Sequence, residues 1–155
     1  LGRFVDSVQN IEKGNIVRIC ADNPFIDPVQ IDLLISFFLK NKFDYVCNHQ
    51  NRLNSLYADG FGAEILSLDL LRKVNMLAFD KKSREHVTLY IWKNKKKFKI
   101  HSLKASKNIA YPHLKFDIDT LEDLKEMRKL VDKYRININT KAQEIINYKL
   151  KELKK

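Results

Sequence analysis

Short β-branched runs alternate with longer segments of helical spacing along this chain, and that alternation limits its fold more than any single residue does. Ile16-Val17-Arg18-Ile19-Cys20 has the composition of a strand, and Asp22-Asn23-Pro24 breaks it. Asp27 stands where a helix N-cap belongs, and Pro28 takes the first helical position, where its missing N–H leaves no bond unmade. Ile31, Leu34, Ile35 and Phe38 follow at helical spacing, and residues 44–48 form the next strand. Strand, helix and strand within about 30 residues make a βαβ unit, so the expected class is α/β, with a mixed, mostly parallel sheet flanked by helices. In such sheets ligands collect beyond the carboxyl ends of the strands, which directs attention to the loop after residue 20.

The rest of the chain continues the pattern. Residues 63–66, 98–103 and 114–118 read as strands. Phe4, Val5 and Val8 give residues 1–8 one apolar face. Ser67 is placed to cap a helix carrying Leu70, Leu71, Val74 and Leu77, and Ser83 to cap a short one with Val87, Tyr90 and Ile91 inward. Thr120-Leu121-Glu122-Asp123 approximates a capping box, with Asp at the reciprocal position. Leu121, Leu124, Met127, Leu130, Val131 and Tyr134 then form an apolar stripe. A last helix spans residues 140–153, with Ala142, Ile145, Ile146, Leu150 and Leu153 on its apolar face. No repeat or flexible linker divides the chain, so residues 1–155 read as one domain with a C-terminal helix in 136–155.

Composition excludes several classes. Hydrophobic residues make up 45% of the chain and charged residues 31%, the proportions of a globular domain. No apolar run is long enough to span a bilayer, and no secretory leader is present, so a cytoplasmic protein without membrane insertion is expected. Cys20 and Cys47 both fall within strands and read as core thiols. The net charge of +10 raises the question of nucleic acid. The excess, however, sits in a cluster of Lys93, Lys95, Lys96, Lys97 and Lys99 and in a basic tail, and only Trp92 and Phe98 flank the cluster. That is thin for a stacking surface, and a solvated basic face with no nucleic-acid partner is the expectation.

Four places have residues suited to chemistry. Asp22 follows a buried strand inside a turn, as a Mg²⁺ ligand or as an Asx-turn residue. Asp117 and Asp119 fall on one side of the strand 114–118, and Asp119 ends it beside a helix start, as a second metal ligand or only a cap. Asp59-Gly60-Phe61-Gly62 allows close backbone approach to a ligand, and Glu64 after it is a hydroxyl acceptor or a surface residue. Arg84-Glu85-His86 opens a helix, where Arg grips an anion bidentately and His exchanges protons near neutrality. No nucleophile elbow is present. This residue set suits metal-assisted nucleotidyl transfer better than acyl transfer.

These segments, in this order, resemble the spore-coat-polysaccharide-type cytidylyltransferases. Val17-Arg18-Ile19-Cys20-Ala21-Asp22-Asn23-Pro24-Phe25-Ile26-Asp27-Pro28 is similar to the family's R-x-x-A-D-x-P-x-I-D-P stretch. Asp59-Gly60-Phe61-Gly62-Ala63-Glu64 resembles its D-G-x-x-x-E, with Ala58 where the family tends to carry proline. Ser83-Arg84-Glu85-His86-Val87-Thr88 resembles R-E-H-V-T, and Asp117-Ile118-Asp119-Thr120-Leu121-Glu122-Asp123-Leu124 resembles D-T-x-E-D-L.

The resemblance implies a Rossmann-like nucleotidyltransferase fold and Mg²⁺ held by Asp22 and Asp119. It implies CTP as substrate, with an acceptor oxygen attacking the α-phosphate and pyrophosphate leaving. Arg84, His86 and Glu64 would line the side of a small anionic sugar acceptor, with Asp59 and Gly60 in the substrate-binding loop. A homodimer is a further implication. The family's opening strand and its Gly/Arg-containing triphosphate loop have no counterpart before Leu1, so the chain reads as the C-terminal two-thirds of such a domain. Two other readings are a nucleotidyltransferase using a different base, and a non-catalytic basic α/β module that binds an anionic ligand.

Overall fold

The computed structural model describes residues 1–49 and 53–154. In chain order the elements are α1 (Gly2–Asp6), β1 (Asn15–Ile19), α2 (Pro28–Lys40), β2 (Tyr45–Cys47), β3 (Ala63–Ser67), α3 (Leu68–Leu77), α4 (Lys81–Glu85), α5 (Leu89–Lys93), β4 (Ile100–Ser102), α6 (Leu121–Tyr134) and α7 (Ala142–Leu153). The four strands form one sheet in the order β1-β3-β2-β4. β3 is antiparallel to both neighbours, and β2 pairs parallel with β4. β1, β2 and β4 therefore run the same way, and their carboxyl ends share one edge.

Strand alternation sends side chains to two separate cores. Val46, Ala63 and Ile65 face α2 and bury Leu34 and Phe38. Tyr45, Cys47 and Leu66 face the other way, onto Leu68, Leu71 and Val74 of α3 and Ile91 of α5. Leu34 is wholly buried, so truncating it to Ala would remove about 2–5 kcal/mol. A third core joins α6 and α7 to the loops: Phe116 packs between Phe25, 6.1 Å away edge-on, and Phe61 at 5.0 Å. None of the described helices is long and apolar enough to cross a membrane.

Local signals acted as expected at three helix starts. Asp27 accepts from the Val29 N–H, Ser67 from Leu70, and Thr120 and Asp123 form a reciprocal capping box. Asp27 also accepts from Ala142 N at 3.0 Å, tying α7 to α2.

Four expectations are corrected. Asp80, not Ser83, caps the helix in this region, so Ser83 is buried within α4 and a separate helix, α5, begins after Thr88. Arg84-Glu85-His86 consequently lies at the carboxyl end of α4, where an anion gains nothing from the helix dipole. Residues 114–118 are extended but form no named strand; one bridge, Asp59 to Lys115, pairs them. Leu121 and Leu153, placed on apolar faces from spacing, are each 60% exposed, because the first and last turns of α6 and α7 extend past the core.

Candidate active site

The site is built on a row of side chains that crosses the sheet at the shared edge. Arg18 stands directly opposite Glu64, and Cys47 pairs with Glu64 on its other side. Glu64 is completely buried. Its Oε1 accepts from Arg18 Nη1 at 2.5 Å. Its Oε2 accepts from the Tyr45 hydroxyl and from Thr88 Oγ1 at 3.0 Å, and faces His49 Nε2 at 3.6 Å. Burial by itself would raise the pKa of this carboxyl. His49, Arg18 and Tyr45 overcome that and hold it at about 2, so Glu64 is a fixed negative charge at neutral pH.

Above Glu64 opens a cavity of about 550 Å³ lined by Arg18, Cys20, His49, Lys82, His86 and Thr88, a size suited to a small molecule. Two cationic side chains and two imidazoles face it, with Glu85 as the lining carboxylate. A larger groove of about 740 Å³ lies between α6 and α7, where Lys149 pairs with Glu126, and Lys133 with Glu152 at 2.9 Å.

A cluster of carboxylates adjoins the cavity. Ile118 N donates to the carbonyl of Asp22 at 2.9 Å, which brings the turn after β1 beside residues 117–119. Phe116 N donates to the Asp59 carbonyl at 3.0 Å, and Asp59 N to Leu114 at 2.9 Å. Gly60 makes this approach feasible. Its φ is +93°, and a Cβ there would lie 2.6 Å from Asp117 N. Asp117 is raised to about 6, first by burial and then by the neighbouring charge of Asp59, and its Oδ1 is buried without a partner. Lys115 Nζ contacts Asp119 and Asp123 at 3.0 Å each and Asp117 at 3.9 Å.

Cluster and cavity share a wall: Asn23 Nδ2 donates to Gly62 O at 3.2 Å, and a Cβ on Gly62 would collide with the His49 ring. Among the described residues no group of three His, Cys, Asp or Glu side chains is placed to enclose a metal. What the cluster offers a hard cation is two exposed carboxylates, Asp22 and Asp119, which is the number magnesium takes while keeping water and phosphate oxygens in its shell. The ammonium of Lys115, held among three carboxylates, already marks the place as one where a cation is stable. Carboxylate oxygens are the donor type a hard cation takes.

The residues singled out in the sequence therefore separate. The Asp22 carbonyl accepts from Ile118 N, which places Asp22 beside the segment that ends in Asp119, and His86 lines the cavity. Arg84 does not reach it: its guanidinium donates to the carbonyl of Ala78 at 3.2 Å and to Asn75, capping the end of α3. Glu64 reaches the cavity only through Arg18, His49 and Thr88. Asp59 and Gly60 hold residues 114–117 in place and do not line the cavity. Arg18, His49, Lys82 and Thr88 were not selected from spacing. The available signal was an arginine inside an otherwise apolar strand, which demands a buried acid as partner.

No family model matches the chain. It is 32% identical over 148 residues to the uncharacterized protein MJ1063 of Methanocaldococcus jannaschii, an alignment covering 96% of this chain and 58% of that protein. It is 29% identical over 147 residues to the spore coat polysaccharide biosynthesis protein SpsF of Bacillus subtilis, covering 94% of this chain and 59% of SpsF. The structure of a cytidylyltransferase from Leptospira borgpetersenii superposes with a TM-score of 0.87 at 26% identity, over 99% of this chain and 63% of that one. These likenesses support the resemblance to the spore-coat-type cytidylyltransferases that the sequence motifs carry. The chain spans less than two thirds of the length of these relatives. The match extends across α6 and α7, so the helical third core belongs to the shared fold as much as the sheet does.

Proposed function

We propose that this chain carries the core of a nucleotidyltransferase that moves CMP from CTP onto a small anionic sugar acceptor, a sugar acid or sugar phosphate, for cell-surface polysaccharide synthesis. The observation that carries the reading is the adjacency of a cationic cavity and a carboxylate cluster at the carboxyl ends of β1, β2 and β4. The likeness to a cytidylyltransferase structure supports the choice of cytidine nucleotide.

In this reading an acceptor oxygen attacks the α-phosphate, the P–O bond to the β-phosphate breaks, and pyrophosphate departs. Such transfer asks a protein mainly for positioning and charge neutralisation. Asp22 and Asp119 would hold Mg²⁺, which when bound offsets phosphate charge. Arg18 and Lys82 attract the acidic group of the acceptor, and His86, one turn of α4 beyond Lys82, hydrogen-bonds it. Glu64 keeps Arg18 and His49 oriented and offsets part of the Arg18 charge.

Pyrophosphate release tests the assignment. It is expected to require CTP, Mg²⁺ and an acidic sugar together. Release from any nucleotide irrespective of the acceptor contradicts it, as does salt-sensitive retention of nucleic acid with no nucleotide selectivity.

A further inference from the structure

Lys115 occupies the cluster that the proposed function assigns to the metal. Extended backbone puts residues 115, 117 and 119 on one face, so the lysine shares that face with Asp117 and Asp119. The capping box adds the third carboxylate. Asp123 Oδ2 accepts from Thr120 N at 2.9 Å and from Asp119 N at 3.1 Å, and in that position also meets Lys115 Nζ at 3.0 Å.

The three carboxylates are not equivalent. Asp123 is bound to the backbone at the start of α6, so it stays where it is whatever the lysine does. Asp119 is 61% exposed and bonds Lys115 from the solvent side. Lys115 is itself 45% exposed on a flexible stem, so its ammonium can leave one carboxylate and keep the other. An ammonium and a divalent cation compete directly for the same oxygens, because each needs acceptor lone pairs and each is repelled by the other.

We propose that Lys115 is the resident counter-ion of the metal site. It neutralises Asp119 while no metal is bound, and it withdraws to Asp123 when Mg²⁺ takes Asp119, thereby setting the metal concentration at which the site fills. This rests on the assignment of Asp119 as a metal ligand. Lys115 is a positioning residue here, acting through Asp119. Two effects follow from removing it: the three neighbouring carboxylates repel one another in the metal-free protein, and the metal meets no competitor.

The test uses Mn²⁺ as probe, read by water-proton relaxation and by the unfolding midpoint with and without the ion. The proteins are wild type, Lys115→Met, Lys115→Gln, Asp119→Asn, and Lys125→Met as a control for net charge. Lys115→Met and Lys115→Gln are expected to bind Mn²⁺ roughly tenfold more tightly than wild type, since exposed ion pairs of this kind are each worth only a few-fold. Both should unfold earlier than wild type without the ion and recover with it. Lys125→Met should bind as wild type does, and Asp119→Asn should lose binding. Unchanged or weaker Mn²⁺ affinity in both Lys115 variants, with Asp119→Asn still inactive in binding, overturns the counter-ion role and leaves the metal assignment standing. Absence of Mn²⁺ binding in wild type and Lys115 variants alike overturns the metal assignment and this inference together.

Discussion

Arg18 on β1 and Glu64 on β3 face each other in register and close a 2.5 Å ion pair beneath the cavity. Removing one partner of such a pair leaves the other charge buried without compensation. Glu64→Gln should therefore destabilise the fold by about 3–5 kcal/mol in chemical denaturation, whereas Arg18→Met with Glu64→Gln should recover part of that loss. A double variant as unstable as the sum of the singles would show that the two residues act separately.

Acid should unfold the protein in a defined window. The Glu64 carboxyl is held at about 2, below its ordinary value of 4.5, because His49, Arg18 and Tyr45 outweigh burial. A depressed carboxyl contributes its stability above the unfolded value and loses it as pH falls toward the folded one. Roughly 3 kcal/mol should thus disappear between about pH 4.5 and pH 2. Comparing denaturation at several pH values in wild type and Glu64→Gln checks this, since the variant should have a flatter acid limb.

Gly60 combines a positive φ with a backbone on which a Cβ would collide. Gly60→Ala should cost about 2–3 kcal/mol, from the left-handed conformation and from displacing residues 116–117. Because residues 116–117 lead directly into Asp119, the substitution should also weaken Mn²⁺ binding. Loss of stability with unaltered binding would separate the turn from the cluster.

Thr120→Ala removes one half of the capping box on α6 and should cost about 1 kcal/mol in thermal unfolding. The same change frees Asp123 from one of its anchors beside Lys115. A cost below a few tenths of a kcal/mol would mean that Asp123 secures the helix start without Thr120.

The elements governed by nearby residues were legible in the sequence: the strand around Val17, the helix begun by Asp27-Pro28, and the capping box at Thr120. What was misread depended on choices between local signals. Asp80 and Ser83 both offer a cap, and Asp80 prevails by accepting from the Ser83 N–H. Residues 114–118 have strand composition, but the N–H groups of Phe116 and Ile118 go to the Asp59 and Asp22 carbonyls instead of a ladder. The cavity was the hardest to foresee. Arg18, His49, Glu64 and Thr88 come together through sheet register and the α4–α5 turn, and no spacing along the chain reports that register. Arg84 drew attention as a charged residue in a motif, yet its guanidinium is occupied by carbonyls of α3.

The central claim is a Mg²⁺-dependent cytidine-nucleotide site that uses Asp22 and Asp119. Its most direct test is the unfolding midpoint with CTP, UTP, GTP and ATP, each with and without Mg²⁺, in wild type, Asp22→Asn and Asp119→Asn. A ligand that binds only the native state raises the midpoint by mass action. The account predicts a rise that is largest with CTP, needs Mg²⁺, and is absent from both variants. A rise that is indifferent to the base and the metal and survives both substitutions would contradict it.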